Sequence, residues 1–149
     1  MGFEKLSLKG RALKHLATRE HSRRELERKL APHEETPGQV QAVLDELESK
    51  GLLSQARFVE SVLHRKSARF GTARIRQELQ GHGLDAELIS DALERSRSSE
   101  YERARAVWDR RFGEPATEPA ERARQMRFLA SRGFSAEVIR RVVRGSDDE

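Results

Sequence analysis

The sequence predicts an all-α protein: nine short helices in three tandem three-helix (helix-turn-helix-like) repeats that form an elongated, curved array. Three observations predict it. Apolar residues recur at spacings of three and four along nearly the whole chain, the period of helices with one buried face. No stretch sustains the alternation of an amphipathic strand. Displaced by 50 residues, 73–94 lies over 123–144, with Ala73/Ala123, Arg74/Arg124, Leu79/Leu129, Gly83/Gly133, Ala86/Ala136, Glu87/Glu137 and Ile89/Ile139 identical. Self-similarity at such a period marks stacked modules, each unable to bury its apolar face alone.

The elements follow in order. In the first module, residues 1–51, Leu13 and Leu16 mark one helix. Ser22-Arg23-Arg24-Glu25 reads as a capping box that opens a second, carrying Leu26 and Leu30. Thr36-Pro37-Gly38-Gln39 offers a cap, a first-turn proline and a glutamine three residues after the cap, ahead of Val40, Val43, Leu44 and Leu47. Gly51 stands where that helix should stop. The second module, 52–97, has Phe58, Val59, Val62 and Leu63, then Ile75 and Leu79. Gly83 is its helix stop and Asp85 the cap for Leu88, Ile89 and Leu93. The third, 98–149, opens on Ser99-Glu100-Tyr101-Glu102, a second capping-box pattern. Ala104, Val107, Trp108 and Phe112 follow, then Met126 and Leu129. Gly133 and the cap Ser135 precede Val138, Ile139, Val142 and Val143, and the chain closes on the acidic Asp147-Asp148-Glu149. Trp108 is expected in the core of this module, not as a platform for a base. Helices this short need packing against neighbours to be stable.

Composition agrees with an array. Of 149 residues, 36% are hydrophobic and 36% charged, with 5% aromatic and a mean hydropathy of −0.80. That supply is thin for one deep core. The absence of cysteine excludes disulfides, thiolate metal sites and cysteine nucleophiles. No apolar run approaches the roughly 20 residues of a membrane span, no signal-peptide core follows the N-terminus, and Leu6 breaks the myristoylation pattern after Met1-Gly2. A cytoplasmic protein with no membrane partner is expected.

Chemistry is hard to find. No phosphate-binding glycine loop, dinucleotide fingerprint or H-E-x-x-H occurs, and the five histidines offer no ligand pair at helical spacing. The expectation is no enzyme, no catalytic residue, no metal and no cofactor. Most carboxylates sit among arginines as surface ion-pair partners.

The charge is more informative. The formal net charge is +4, with six lysines and twenty-three arginines, and residues 51–144 hold nineteen bases against thirteen acids. Arginine's planar fork suits phosphate and carboxylate. Three stretches carry bases and no acids. The first runs from Lys5 to Arg19. The second holds Arg65, Lys66, Arg69, Arg74 and Arg76 around Phe70-Gly71. The third holds Arg122, Arg124, Arg127 and Arg132, followed by Arg140, Arg141 and Arg144. Arg65 and Arg69, four apart, are expected on one helical face. Arg74 and Arg76 flank Ile75, a core position. The partner-binding candidates are Arg65, Lys66, Arg69, Arg74, Arg76, Arg124, Arg127 and Arg132.

Several runs resemble one family. Leu47-Glu48-Ser49-Lys50-Gly51-Leu52-Leu53 with Arg57-Phe58-Val59, and Phe70-Gly71-Thr72-Ala73-Arg74-Ile75-Arg76-Gln77-Glu78-Leu79 closing on Gly83-Leu84, are similar to the middle module of RecX regulatory proteins. Arg110-Arg111-Phe112-Gly113 and Phe128-Leu129-Ala130-Ser131-Arg132-Gly133-Phe134-Ser135 resemble its third module. Ala12-Leu13-Lys14-His15-Leu16 and Ser22-Arg23-Arg24-Glu25-Leu26 resemble its first. Ser54-Gln55 departs from the family, which more often has acidic residues there. The resemblance implies a regulator of the RecA recombinase in DNA repair and the SOS response, acting as a monomer. It implies binding to the RecA–single-stranded DNA filament, with contacts to single- and double-stranded DNA, and inhibition of strand exchange, ATP hydrolysis and co-protease activity. Two rivals stand beside it: a general nucleic-acid-binding helical-repeat protein and a protein scaffold.

Overall fold

The computed structural model describes residues 6–144, and every regular element among them is helical. The order is α1 (Leu8–Thr18), α2 (Arg23–Leu30), α3 (Gln39–Ser49), α4 (Gln55–Lys66), α5 (Thr72–Leu79), α6 (Ala86–Ser98), α7 (Glu100–Arg111), α8 (Pro119–Ser131) and α9 (Ala136–Arg144). A single 3₁₀ turn, Ala31–His33, extends α2. Lys5 and the tail Asp147–Glu149 lie outside the described residues.

Capping explains most of the boundaries. Ser22 Oγ accepts from the Glu25 N–H, and the Glu25 carboxylate accepts from the Ser22 N–H, so the first capping box forms in full. Ser54 caps α4 through the Arg57 N–H, and Ser135 caps α9 through the Val138 N–H. Three expected caps do not form. Asp85 stands at the N-cap of α6 but makes no side-chain cap bond. Helix α3 starts at Gln39 behind Gly38, which takes φ +91°, and Gln39 Oε1 instead accepts from the Glu35 and Thr36 N–H groups. The proline therefore lies in the lead-in loop, not at the first helical position. Ser99 makes no cap bond, because its hydroxyl donates to the Ser96 carbonyl and accepts from Arg103. α6 and α7 are consequently joined by Ser99 alone.

The helices pack by threes. α1, α2 and α3 enclose Ala12, Leu26, Leu30, Val40, Leu44 and Leu47, and Leu53, two residues past the expected module limit, joins them. α4, α5 and α6 enclose Phe58, Val59, Val62, Ile75, Leu79, Ala92 and Leu93. α7, α8 and α9 enclose Ala104, Val107, Trp108, Leu129, Phe134, Ile139, Val142 and Val143. Trp108 is core, as expected, and its indole N–H donates to buried Gln125 at 2.9 Å. Each buried Leu, Ile, Val or Phe contributes roughly 1.5–3 kcal/mol, so six of them in each module leave little margin over chain entropy. Such units lean on their neighbours.

The same joint recurs between them. Arg24 donates to the Gly81 carbonyl at 3.1 Å, and 50 residues on Arg74 reaches the Ser131 carbonyl at 3.4 Å. In each case the guanidinium side of one module meets the glycine stop of the next. Gly83, at φ +65°, has the Arg24 guanidinium where a side chain would stand; Gly133, at φ +87°, has Arg74 Cβ 2.6 Å from such a position. The 50-residue repeat is thus also a repeat of the interface.

Candidate functional site

The second joint carries the basic residues. Helix α4 ends at Lys66, and residues 67–69 form the turn that leads to α5. Arg69 therefore sits in the turn, and the expected shared helical face of Arg65 and Arg69 does not exist. Arg69 lies instead over the Phe70 ring, 5.2 Å from its centroid. Lys66, Arg74 and Arg132 approach the same ring at 5.6, 4.7 and 5.6 Å. Four cations from two modules converge on one half-buried phenylalanine, an arrangement that the ring's quadrupole favours.

Backbone contact holds this joint shut. The Gly71 N–H donates to the Arg132 carbonyl at 2.8 Å, and the Ala73 N–H to the Gly133 carbonyl at 3.3 Å. Any side chain at Gly71 would overlap the Gly133 carbonyl and come within 2.6 Å of Phe134 Cα. Helix α5 has no side-chain cap of its own. Glu100, buried at the start of α7, accepts the Thr72 N–H at 2.9 Å and does that work from the next module. Beside it, half-buried Arg103 donates to the Ser67 and Phe70 carbonyls and to Ser96 and Ser99. Burial pulls the Arg103 pKa down, and the nearby Glu100 carboxylate pulls it back up.

Around this joint lies a cleft of about 260 Å³ lined by Arg69, Val107, Arg110, Arg111, Phe128 and Arg132. Arg132 and Arg111 lie over the Phe128 ring at 5.0 and 4.9 Å, and Arg110 donates to the Ala68 carbonyl at 2.9 Å. Among the described residues, no carboxylate lies within ion-pair distance of these four arginines, although seven other arginines have one.

The sequence candidates separate accordingly. Lys66, Arg69, Arg74 and Arg132 are brought together at Phe70. Arg65, Arg76 and Arg127 are exposed and stand apart, with Arg65 bonded only to Ser61. Arg124 pairs with Glu121 at 3.1 Å and lies over Phe112, away from the joint. Arg103, Arg110 and Arg111 are absent from the sequence candidates, because acids near them in sequence mask their role; the Arg110-Arg111 doublet was the signal for two of them. No group of acids and histidines able to hold a metal ion occurs among the described residues, and no described helix is long and apolar enough to cross a membrane.

Comparison with known proteins gives a consistent result. The models of the first, second and third three-helix domains of RecX match residues 9–47, 54–93 and 98–143. The chain is 59% identical over 144 residues to the regulatory protein RecX of Leptothrix cholodnii, covering 97% of this chain and 92% of that one. It is 52% identical over 142 residues to RecX of Ralstonia nicotianae, covering 95% and 89%. The crystal structure of RecX from Lactobacillus salivarius superposes with a TM-score of 0.74 at 19% identity, covering 92% of both chains.

Proposed function

The chain belongs to the RecX family of regulatory proteins, and from that premise we propose that it binds the RecA–single-stranded DNA filament and inhibits RecA's recombinase, ATPase and co-protease activities. It acts in the cytoplasm, in DNA repair and SOS control, as a monomer without enzymatic activity of its own. Its three functional modules are 1–51, 52–97 and 98–149. Arg65, Lys66, Arg69, Arg74, Arg76, Arg124, Arg127 and Arg132 form its contact surface for the filament and for single- and double-stranded DNA.

The convergence of cations at Phe70 carries this reading. Charges held by rings and carbonyls, with no carboxylate beside them, are preorganised for an acidic partner and lose little entropy on binding. A chain of modules packed only on their neighbours has the reach to touch more than one subunit of a filament.

The direct test is RecA's DNA-dependent ATPase rate with a substoichiometric amount of this protein. The expected outcome is a rate well below that of RecA alone. ATP hydrolysis by this protein without RecA contradicts the absence of enzymatic activity. Strongly salt-dependent DNA binding with no effect on RecA favours a general nucleic-acid-binding protein instead.

A further inference from the structure

From the cleft at the second joint, we infer a phosphate-binding site: Arg69, Arg110, Arg111 and Arg132 take one phosphate group of a nucleic-acid strand or of a free nucleotide, with Phe128 as the floor. The inference deepens the reading above but rests on the cleft alone.

Three observations carry it. The first is convergence. The turn after α4 supplies Arg69, the end of α7 supplies Arg110 and Arg111, and the end of α8 supplies Arg132, so the site exists only where two modules meet. The second is preorganisation. Phe70 and Phe128 hold Arg69, Arg111 and Arg132 by their flat faces, and the Ala68 carbonyl uses one of Arg110's five donors. The remaining N–H groups of these four side chains make no hydrogen bond to the described residues.

The third is a comparison within the chain. Placing Leu26 and Leu30 over Ile75 and Leu79, 49 residues on, sets Arg69 over Glu20, and placing Gly83 over Gly133 sets Arg132 over His82. At the first joint Glu20 pairs with Arg57 at 2.9 Å, while the His82 ring packs on Phe58 and bonds Ser22. The first joint satisfies these groups internally. The second leaves guanidinium at both positions and adds two more.

Phosphate fits this set better than a carboxylate does. Two guanidinium forks saturate the two oxygens of a carboxylate, whereas a phosphate offers more acceptor oxygens in a tetrahedral spread. A strand held there through its phosphate is held without regard to sequence, because phosphate contacts carry no base information.

The experiment measures binding to the protein alone, without RecA, so its failure and that of the ATPase test are separate results. The probes are a short labelled oligo-dT strand, inorganic pyrophosphate and polyglutamate. Binding of the strand, of pyrophosphate or of both, weakened at least tenfold in Arg69→Gln/Arg111→Gln, supports the site and identifies the source of the phosphate. For the strand, the slope of log K against log salt should also fall by up to about 0.7, the share of one phosphate contact. Arg97→Gln, which breaks a local pair with Glu94, should change neither. If the glutamine pair loses helical content, Arg69→Lys/Arg111→Lys keeps the charge, loses the fork and should bind several-fold less tightly. Unchanged binding in a folded variant overturns the inference. So does binding of polyglutamate with no binding of strand or pyrophosphate.

Discussion

Gly71 illustrates how one residue without a side chain sets an interface. Its φ of −82° is open to any residue, so the constraint is space and not backbone strain. Gly71→Ala must push α5 away from Gly133, and overpacking of this kind costs roughly 1–3 kcal/mol. The expected outcome is a melting temperature several degrees lower, read by circular dichroism, with helical content kept at room temperature. Glu25 acts by charge. Burial raises its carboxyl pKa, but the hydrogen bonds from Arg19 and the Ser22 N–H outweigh it and hold the group at about 2. Its folded pKa is below the ordinary 4.5, so its contribution is complete above about pH 4.5 and lost as pH falls toward 2. Glu25→Gln keeps the capping bond and removes the charge. It should cost about 1 kcal/mol at pH 7, and its melting temperature should meet the parent's near pH 2.

Helix α5 shows the same dependence for a whole element. Eight residues opened by Gly71 make a weak helix. Its first N–H groups are answered by Glu100 and by the Gly133 carbonyl, both in the third module. Removing Glu100 as alanine leaves a buried donor unpaired, which costs about 1–3 kcal/mol, whereas Glu100→Gln keeps an acceptor and should cost less. Arg103→Ala should be the more damaging change, because the Ser67 and Phe70 carbonyls after α4 and the Ser96 and Ser99 hydroxyls lose their partner together. Denaturant unfolding should rank the three variants, from most to least stable, Glu100→Gln, Glu100→Ala and Arg103→Ala. If Arg103→Ala is as stable as the parent, the joint does not depend on this residue.

Across the molecule the two joints differ in strength. The first is held by side chains: Arg57 with Glu20, Arg24 with the Gly81 carbonyl, and Ser22 with His82. The second adds backbone bonds and a buried carboxylate. Modules two and three should therefore open as one cooperative unit and module one separately. Native-state hydrogen exchange checks this: amides of α1–α3 should share one opening free energy, and those of α4–α6 should share theirs with α7–α9. Module-by-module opening with three distinct values would contradict the difference between the joints.

The helices, their grouping by threes and most core positions were legible in the sequence, since spacings of three and four and a repeat near 50 residues are properties of the chain itself. Leu13 is the exception, exposed on α1 while its neighbour Ala12 is buried. The register even contained the receiving side of the joint, as Gly83 and Gly133, which Arg24 and Arg74 meet, occupy one repeat position. Local caps were legible where the partner was near, as at Ser22, and misread where a better partner competed, as when Arg103 took the Ser99 hydroxyl. The basic stretch around Phe70 was visible as charge, but its composition was not. Arg69 with Arg132, and Glu100 with the Thr72 N–H, lie 63 and 28 residues apart. No periodicity along a chain encodes such a pairing. It arises only when two modules meet backbone to backbone at Gly71 and Gly133. Which arginines find an acid, and which are left facing solvent without one, was decided by that approach.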